Sequence, residues 1–195
     1  SSRRRHTRSD RDWSSDVCSS DLCVMDVFSK MAWVQPLKSK NSAALTEGFQ
    51  QLLEHQTEGR LPEQLQTDKG TEFVNRPFQA LLKKHDIHFY TSQNPETKAA
   101  VVERFQRTLK NKMWRYFTQH HTRHYLKVLP HLVQSYNKSV HRTIGRRPID
   151  VQPNDPVTEI KVLDFMRKAK KKAKKVTKAK KTKKKIPKAK FLKEI

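Results

Sequence analysis

The chain lacks what several function classes require. It has two cysteines in 195 residues, Cys18 and Cys23, too few for a disulfide framework or a four-ligand zinc site. Two incidental reduced thiols are expected. No apolar run approaches the roughly 20 residues needed to span a bilayer. The N-terminus is polar and Arg-rich, without the apolar stretch of a signal peptide. Acids are scarce too: 19 Asp and Glu stand against 42 Lys and Arg, a net charge of +23. A soluble protein with polyanionic partners follows, and nucleic acid leads membrane surfaces because no amphipathic or lipidated anchor is evident.

What is there is unevenly spread. Residues 161–195 carry 17 basic residues and two acids, residues 1–22 carry five and four, and the middle, 23–160, carries 20 and 13. The globular part is thus moderately basic and the tail intensely so. RKAKKKAKKVTKAKKTKKKIPKAK is nearly all Lys and Ala, and self-repulsion with few apolar residues predicts disorder in the unbound tail. Residues 1–22 are rich in Ser, Arg and Asp, show no periodicity, and nearly repeat SSDV as SSDL. That segment resembles translated sequencing-adapter peptides, with a genuine disordered arm as the alternative, and is set aside from fold reasoning.

From Cys23 the texture changes. LCVMDVF and MAWVQPL are short apolar runs joined at Ser29-Lys30, which suggests a tight hairpin. Asn41 or Ser42 can cap a helix with Ala44, Leu45, Phe49, Leu52 and Leu53 at helical spacing. LPEQLQTD reads as a strand leading to Asp68, with Gly70 permitting a turn. NRPFQALLKKHD is a helix with Pro77 in its first turn and Phe78, Leu81 and Leu82 inward. IHFYTS is another strand. Helices follow over about 97–120 and 125–141, with Pro130 kinking the second or marking its first turn. Strands followed by helices after an initial hairpin indicate an α/β layer fold, with its compact domain over 23–151 and a tail over 152–195.

Two acids stand out. Asp68, at a predicted strand exit, can bind a metal through oxygen or simply cap a turn. Glu103 shares a helix face with Gln106, Arg107 and Lys110. That face is either ordinary surface ion pairing or a metal-ligating carboxylate beside cations that hold phosphates.

Taken together, VMDVFSKMAWVQPLKSK, LQTDKGTEFVNRPFQALLKKHDIHFYTS, KAAVVERFQRTLKNKMWRYFT and LPHLVQSYNKSVHRTIGRRPIDV resemble the retroviral-type integrase catalytic core. The integrases of Maverick/Polinton-like transposons are the most similar. The likeness runs over residues 23–151, in the family's order. It implies a ribonuclease H-like mixed sheet flanked by helices, and DNA end processing and strand transfer by two-metal phosphoryl transfer with Mg²⁺ or Mn²⁺. Asp68 and Glu103 match the second and third members of the family's Asp-Asp-Glu triad. Arg107 and Lys110 match positions that touch DNA ends, and Lys98 and Arg104 join them as candidate DNA contacts. A homo-oligomer is implied as well.

One departure is serious. The family's first catalytic Asp lies on a central strand upstream of the one that VMDVFSK matches. Asp26 takes a different, non-ligating position and is read as structural. Asp10, Asp12, Asp16 and Asp21 are not embedded in an apolar strand. A sheet without its central member and weak or absent catalysis are therefore expected, and a non-catalytic nucleic-acid-binding remnant is the alternative. His120, His121 and His124 read as solvated, DNA-facing or helix-capping rather than zinc ligands. Trp33, Trp114, Tyr116 and Phe117 read as packing rather than base-stacking platforms. KKKAKK and KKTKKK suit nuclear import or phosphate coating, and a nuclear location is expected.

Overall fold

The computed structural model describes residues 21–39, 41–55, 60–67, 70–91, 100–152 and 155–184. Asp68, Lys98, Cys18 and the acids before Asp21 lie outside these residues. The chain divides into two compact units, one ending at Ser139 and one beginning at Val140. The sequence had suggested a compact domain over 23–151 and a tail over 152–195.

In the first unit, strand β1 (Leu22–Met25) pairs antiparallel with β2 (Ala32–Gln35), Leu22 opposite Gln35 and Met25 opposite Ala32. The connection is wider than the two-residue turn expected. The Asp26 carboxylate accepts from the Phe28 and Ser29 amides at 2.9 and 3.0 Å and from the Ser29 hydroxyl. It acts as the loop's internal cap. This is the structural role expected of Asp26. Lys30 follows in the left-handed region at φ 62°, where a side chain is usually disfavoured. Its ammonium donates to the Val27 carbonyl at 2.5 Å.

Helix α1 (Ser42–His55) starts where Asn41 Oδ1 accepts from the Ala44 amide at 2.8 Å, so Asn41 is the cap. Strands β3 (Gln64–Thr67) and β4 (His88–Thr91) pair in parallel, Gln64 opposite His88 and Thr67 opposite Thr91. They are joined through α2 (Thr71–Val74), a short turn the sequence did not announce, and α3 (Arg76–Lys84). Asn75 caps α3 through Phe78 N at 2.9 Å, with proline in the first turn as expected. Helix α4 runs over Ala100–His120 and α5 over Leu129–Asn137. Proline marks the first turn of α5 rather than kinking it.

Alternation along β1 builds two cores. Leu22 and Val24 pack with Leu65 and Phe89 against Leu45, Phe49, Phe78 and Leu82 of α1 and α3. Cys23 and Met25 face the other way, with Ala32 and Val34, onto α4 and α5. The β1–β2 sheet thus has helices on both faces, the α/β layering expected. Among the described residues the strands form two separate two-stranded sheets, with no strand joining them.

The second unit buries Ile144, Pro148, Val151 and Val162. Gly145 sits at φ +67°, and a Cβ there would stand 2.6 Å from the Phe165 ring. Helix α6 (Pro156–Lys184) follows. The tail expected to be disordered is therefore helical to Lys184. Lys and Ala are among the strongest helix formers, Asp155 accepts from the Val157 amide at 3.1 Å at the entry, and Asp164 pairs with Lys168 at 2.7 Å.

Candidate nucleic-acid interface

Helix α4 carries the site, and its packing decides which residues reach solvent. Phe105, Leu109, Met113 and Phe117 recur every four residues and are all buried, a stripe that docks onto Met25, Ala32, Val34, Leu129 and Tyr136. The Phe105 and Tyr136 rings meet edge to face with centroids 4.8 Å apart. With that stripe fixed inward, Glu103, Arg104 and Arg107 are exposed and Lys110 is half-buried. The shared face expected for Glu103, Gln106, Arg107 and Lys110 is present.

Beneath this face lies Cys23 on β1. Burial pushes its thiol up to about 12, against a hydrogen bond with Gln106 and the nearby charge of Lys110, which act downward. A thiol held so strongly protonated is a poor nucleophile near neutral pH. Lys30 is held below the ordinary lysine range, first by burial and also by Arg104, while Asp26 opposes the shift. The hairpin loop and the start of α4 therefore share one electrostatic neighbourhood.

Asp21, at the border of the set-aside segment, directly precedes β1 and is buried. It accepts from the Tyr125 hydroxyl at 3.3 Å. The chain is thus packed two residues earlier than the texture change at Cys23 implied. Asp68 follows Thr67, the last residue of β3, and Glu103 lies in the first turn of α4. Carboxylates are the right kind of ligand for Mg²⁺ or Mn²⁺. Among the described residues no three potential ligands gather, and Glu103 is the only described member of the pair.

Three features were missed or misread in the sequence. Asn137, buried at the end of α5, bonds both backbone groups of Ala32; nothing in the sequence announced that role. Trp114, read as packing, is 38% exposed, whereas Trp33 and Phe117 are buried as expected. A pocket of about 300 Å³ lies beside it, lined by Trp114, Phe117, Thr118, His121, Thr122 and Arg123. Helical spacing could have found Trp114, because it lies eleven residues after Glu103, three turns along the same face.

Known proteins share this architecture. Residues 7–95 match the family described as integrase core domain, a span that includes Asp68 but not Glu103 and begins inside the set-aside segment. A transposon-derived protein of Caenorhabditis elegans is 35% identical over 146 residues, 72% of this chain and 50% of that one. The chain therefore spans about half the length of this curated relative. Among solved structures, a chain of the simian T-cell lymphotropic virus intasome, determined with the PP2A regulatory subunit B56 gamma, superposes with a TM-score of 0.63 at 19% identity. The match covers 70% of this chain and 49% of that one. The HTLV-2 integrase catalytic core in complex with magnesium gives 0.56 at 20% identity, covering 66% and 81%. The BIV integrase catalytic core gives 0.55 at 22%, covering 67% and 83%. At such identities the likeness is one of fold: this chain has the mixed α/β, ribonuclease H-like fold of integrase catalytic cores.

Proposed function

We propose that this chain is the core domain of a transposon-derived integrase, of the Maverick/Polinton-like kind, that binds DNA ends. Its end processing and strand transfer are weak or absent as the polypeptide stands. The observation that carries this reading is the face of α4, where Glu103, Arg104 and Arg107 are presented together by a buried stripe on an integrase-type fold. The transposon-derived relative and the match to the integrase core family support it.

In this reading Arg104, Arg107 and Lys110, with Lys98, hold backbone phosphates and set the position of the DNA end. Asp68 and Glu103 are the residues that would hold Mg²⁺ or Mn²⁺, which would supply activation of an attacking oxygen and charge neutralisation. Two carboxylates hold such ions less firmly than three, so catalysis is impaired while the basic surface persists. DNA integration in the nucleus by a homo-oligomer belongs to the same proposal and is supported by the Lys-rich segment and by the likeness to an intasome chain.

A strand-transfer assay with Mn²⁺ tests this reading. DNA should be bound, with affinity falling steeply as salt rises, and joining should be at or near background. Efficient joining that Glu103→Gln abolishes would overturn the impaired-site reading and leave an enzyme. Binding indifferent to ionic strength would remove the phosphate-binding reading altogether. The non-catalytic reading is favoured if binding is retained by Glu103→Gln with no joining by either protein.

A further inference from the structure

The face of α4 that presents Glu103 continues beyond it. Glu103, Arg107, Lys110, Trp114, Thr118 and His121 follow one another at three- and four-residue steps, so they line one side of the helix. At about 1.5 Å per residue, Trp114 stands about 16 Å from Glu103 along the axis. His121 ends the helix in the left-handed conformation, φ 48°, and Thr122 and Arg123 complete the pocket beside Trp114. Its walls are aromatic, Trp114 and Phe117 with ring centroids 6.0 Å apart at 73°. Its remaining lining residues, Thr118, His121, Thr122 and Arg123, supply hydroxyl, imidazole and guanidinium groups. At about 300 Å³ it lies at the lower end of ligand-site volumes.

The sequence carrying the pocket has charge of one sign. From Arg104 to Ser139, 36 consecutive residues of the first unit contain eight Lys or Arg and no Asp or Glu. An exposed indole on a helix whose residues after Glu103 include cations and no acid offers a π-face for stacking where a polyanion is attracted.

We propose that this pocket is a second DNA subsite, which takes one unpaired nucleotide with its base against Trp114 and its phosphate against Arg123. The proposal rests on the DNA-binding reading and adds to it a preference for frayed or single-stranded ends over blunt duplex. A strand leaving the duplex near Glu103 would run along α4 over Arg107 and Lys110 before reaching the indole.

Fluorescence anisotropy with the full chain tests this, using a labelled oligothymidylate and a blunt duplex of equal length. Trp114→Ala should weaken single-strand binding about 5- to 150-fold, the range of one base stack removed. Duplex affinity and the salt slope should stay as they were. Trp114→Phe should recover most of the loss, and thermal melting of both variants should match the parent because the indole is exposed. Equal losses on both DNAs, or none on the single strand, would overturn the subsite while leaving the DNA reading intact. A change of molecular mass in Trp114→Ala with single-strand affinity intact would make the face a protein interface, against the proposal. Absence of binding to either DNA by the parent chain would overturn the DNA reading and the subsite together.

Discussion

The Asn137 carboxamide closes on the backbone of Ala32 from both sides: its Oδ1 accepts from the Ala32 amide at 3.0 Å and its Nδ2 donates to the Ala32 carbonyl at 2.9 Å. This pairing reproduces a strand-to-strand exchange with a side chain. It ties the end of α5 to the edge of β2, across 105 residues of sequence. Both partners are buried, Ala32 at 0% and Asn137 at 5% exposure, so water does not replace the bonds.

Asn137→Ala should therefore leave a buried donor and acceptor unpaired, each costing about 1–3 kcal/mol, and lower stability by about 2–4 kcal/mol in urea unfolding. Asn137→Asp should be at least as damaging, because it replaces the donor with a charge facing a carbonyl. A loss below about 0.5 kcal/mol in both variants would mean that the latch is redundant.

A second outcome concerns Cys23. Burial is the first cause that raises its thiol to about 12 from an ordinary 9.0. In a Cys18→Ser chain, iodoacetamide at pH 8 should leave the native protein unlabelled and modify it only in denaturant. The linkage sign follows from the raised value. Below pH 9 folded and unfolded chains both keep the proton. Between about 9 and 12 only the unfolded chain loses it, so stability falls as pH rises. Cys23→Ala should flatten that alkaline decline in urea midpoints measured against pH. An equally steep decline in the variant would assign it to other groups.

The contrast between Asn137 and Phe49 shows what the sequence made legible. Helical spacing exposed the inward faces of α1 and α3, and the residue types at Asn41 and Ser42 marked the cap before α1, because each follows from local periodicity or a local hydrogen bond. The acids and cations of the α4 face were legible for the same reason: their orientation is set by the stripe opposite. Asn137 was not, since its partner lies across the fold and a polar side chain can satisfy itself in many ways. Trp114 was misread because an aromatic residue on an amphipathic helix ordinarily faces the core, and its place in the rotation, beside Arg107 and Lys110, had to be weighed against its type. Disorder was inferred for residues 161–195 from like-charge repulsion and the scarcity of apolar residues, whereas the intrinsic helix preference of Lys and Ala acts in the opposite direction.

The α4 cations should be measurable through salt. Arg107→Gln with Lys110→Gln should reduce the slope of log affinity against log salt by about 0.9 for each duplex phosphate that is no longer neutralised. The melting temperature should change little for Arg107, which is exposed. A slope unchanged by both substitutions would place the phosphate-binding cations elsewhere, with the Lys-rich segment as the natural candidate.

That segment gives the last outcome. In α6 the turns beyond Lys168 hold lysines at four-residue spacing, as in Lys168–Lys172 and Lys170–Lys174, without an acid before Glu194. Each such like-charge pair weakens the helix by a few tenths of a kcal/mol, and salt or bound phosphate removes the penalty. Ending the chain at Lys174 keeps the buried Val162 while removing ten Lys and one Glu. The difference in circular dichroism at 222 nm between full and shortened chains isolates the removed segment. It should grow as salt rises from about 10 to 500 mM, a range over which the screening length shrinks from about 30 Å to under 8 Å, and should grow again on adding duplex DNA at low salt. The shortened chain should also bind duplex with a shallower salt slope. A difference spectrum without helical signal under any of these conditions would show that helix preference does not overcome the repulsion in residues 175–195, and the expectation of disorder would stand there.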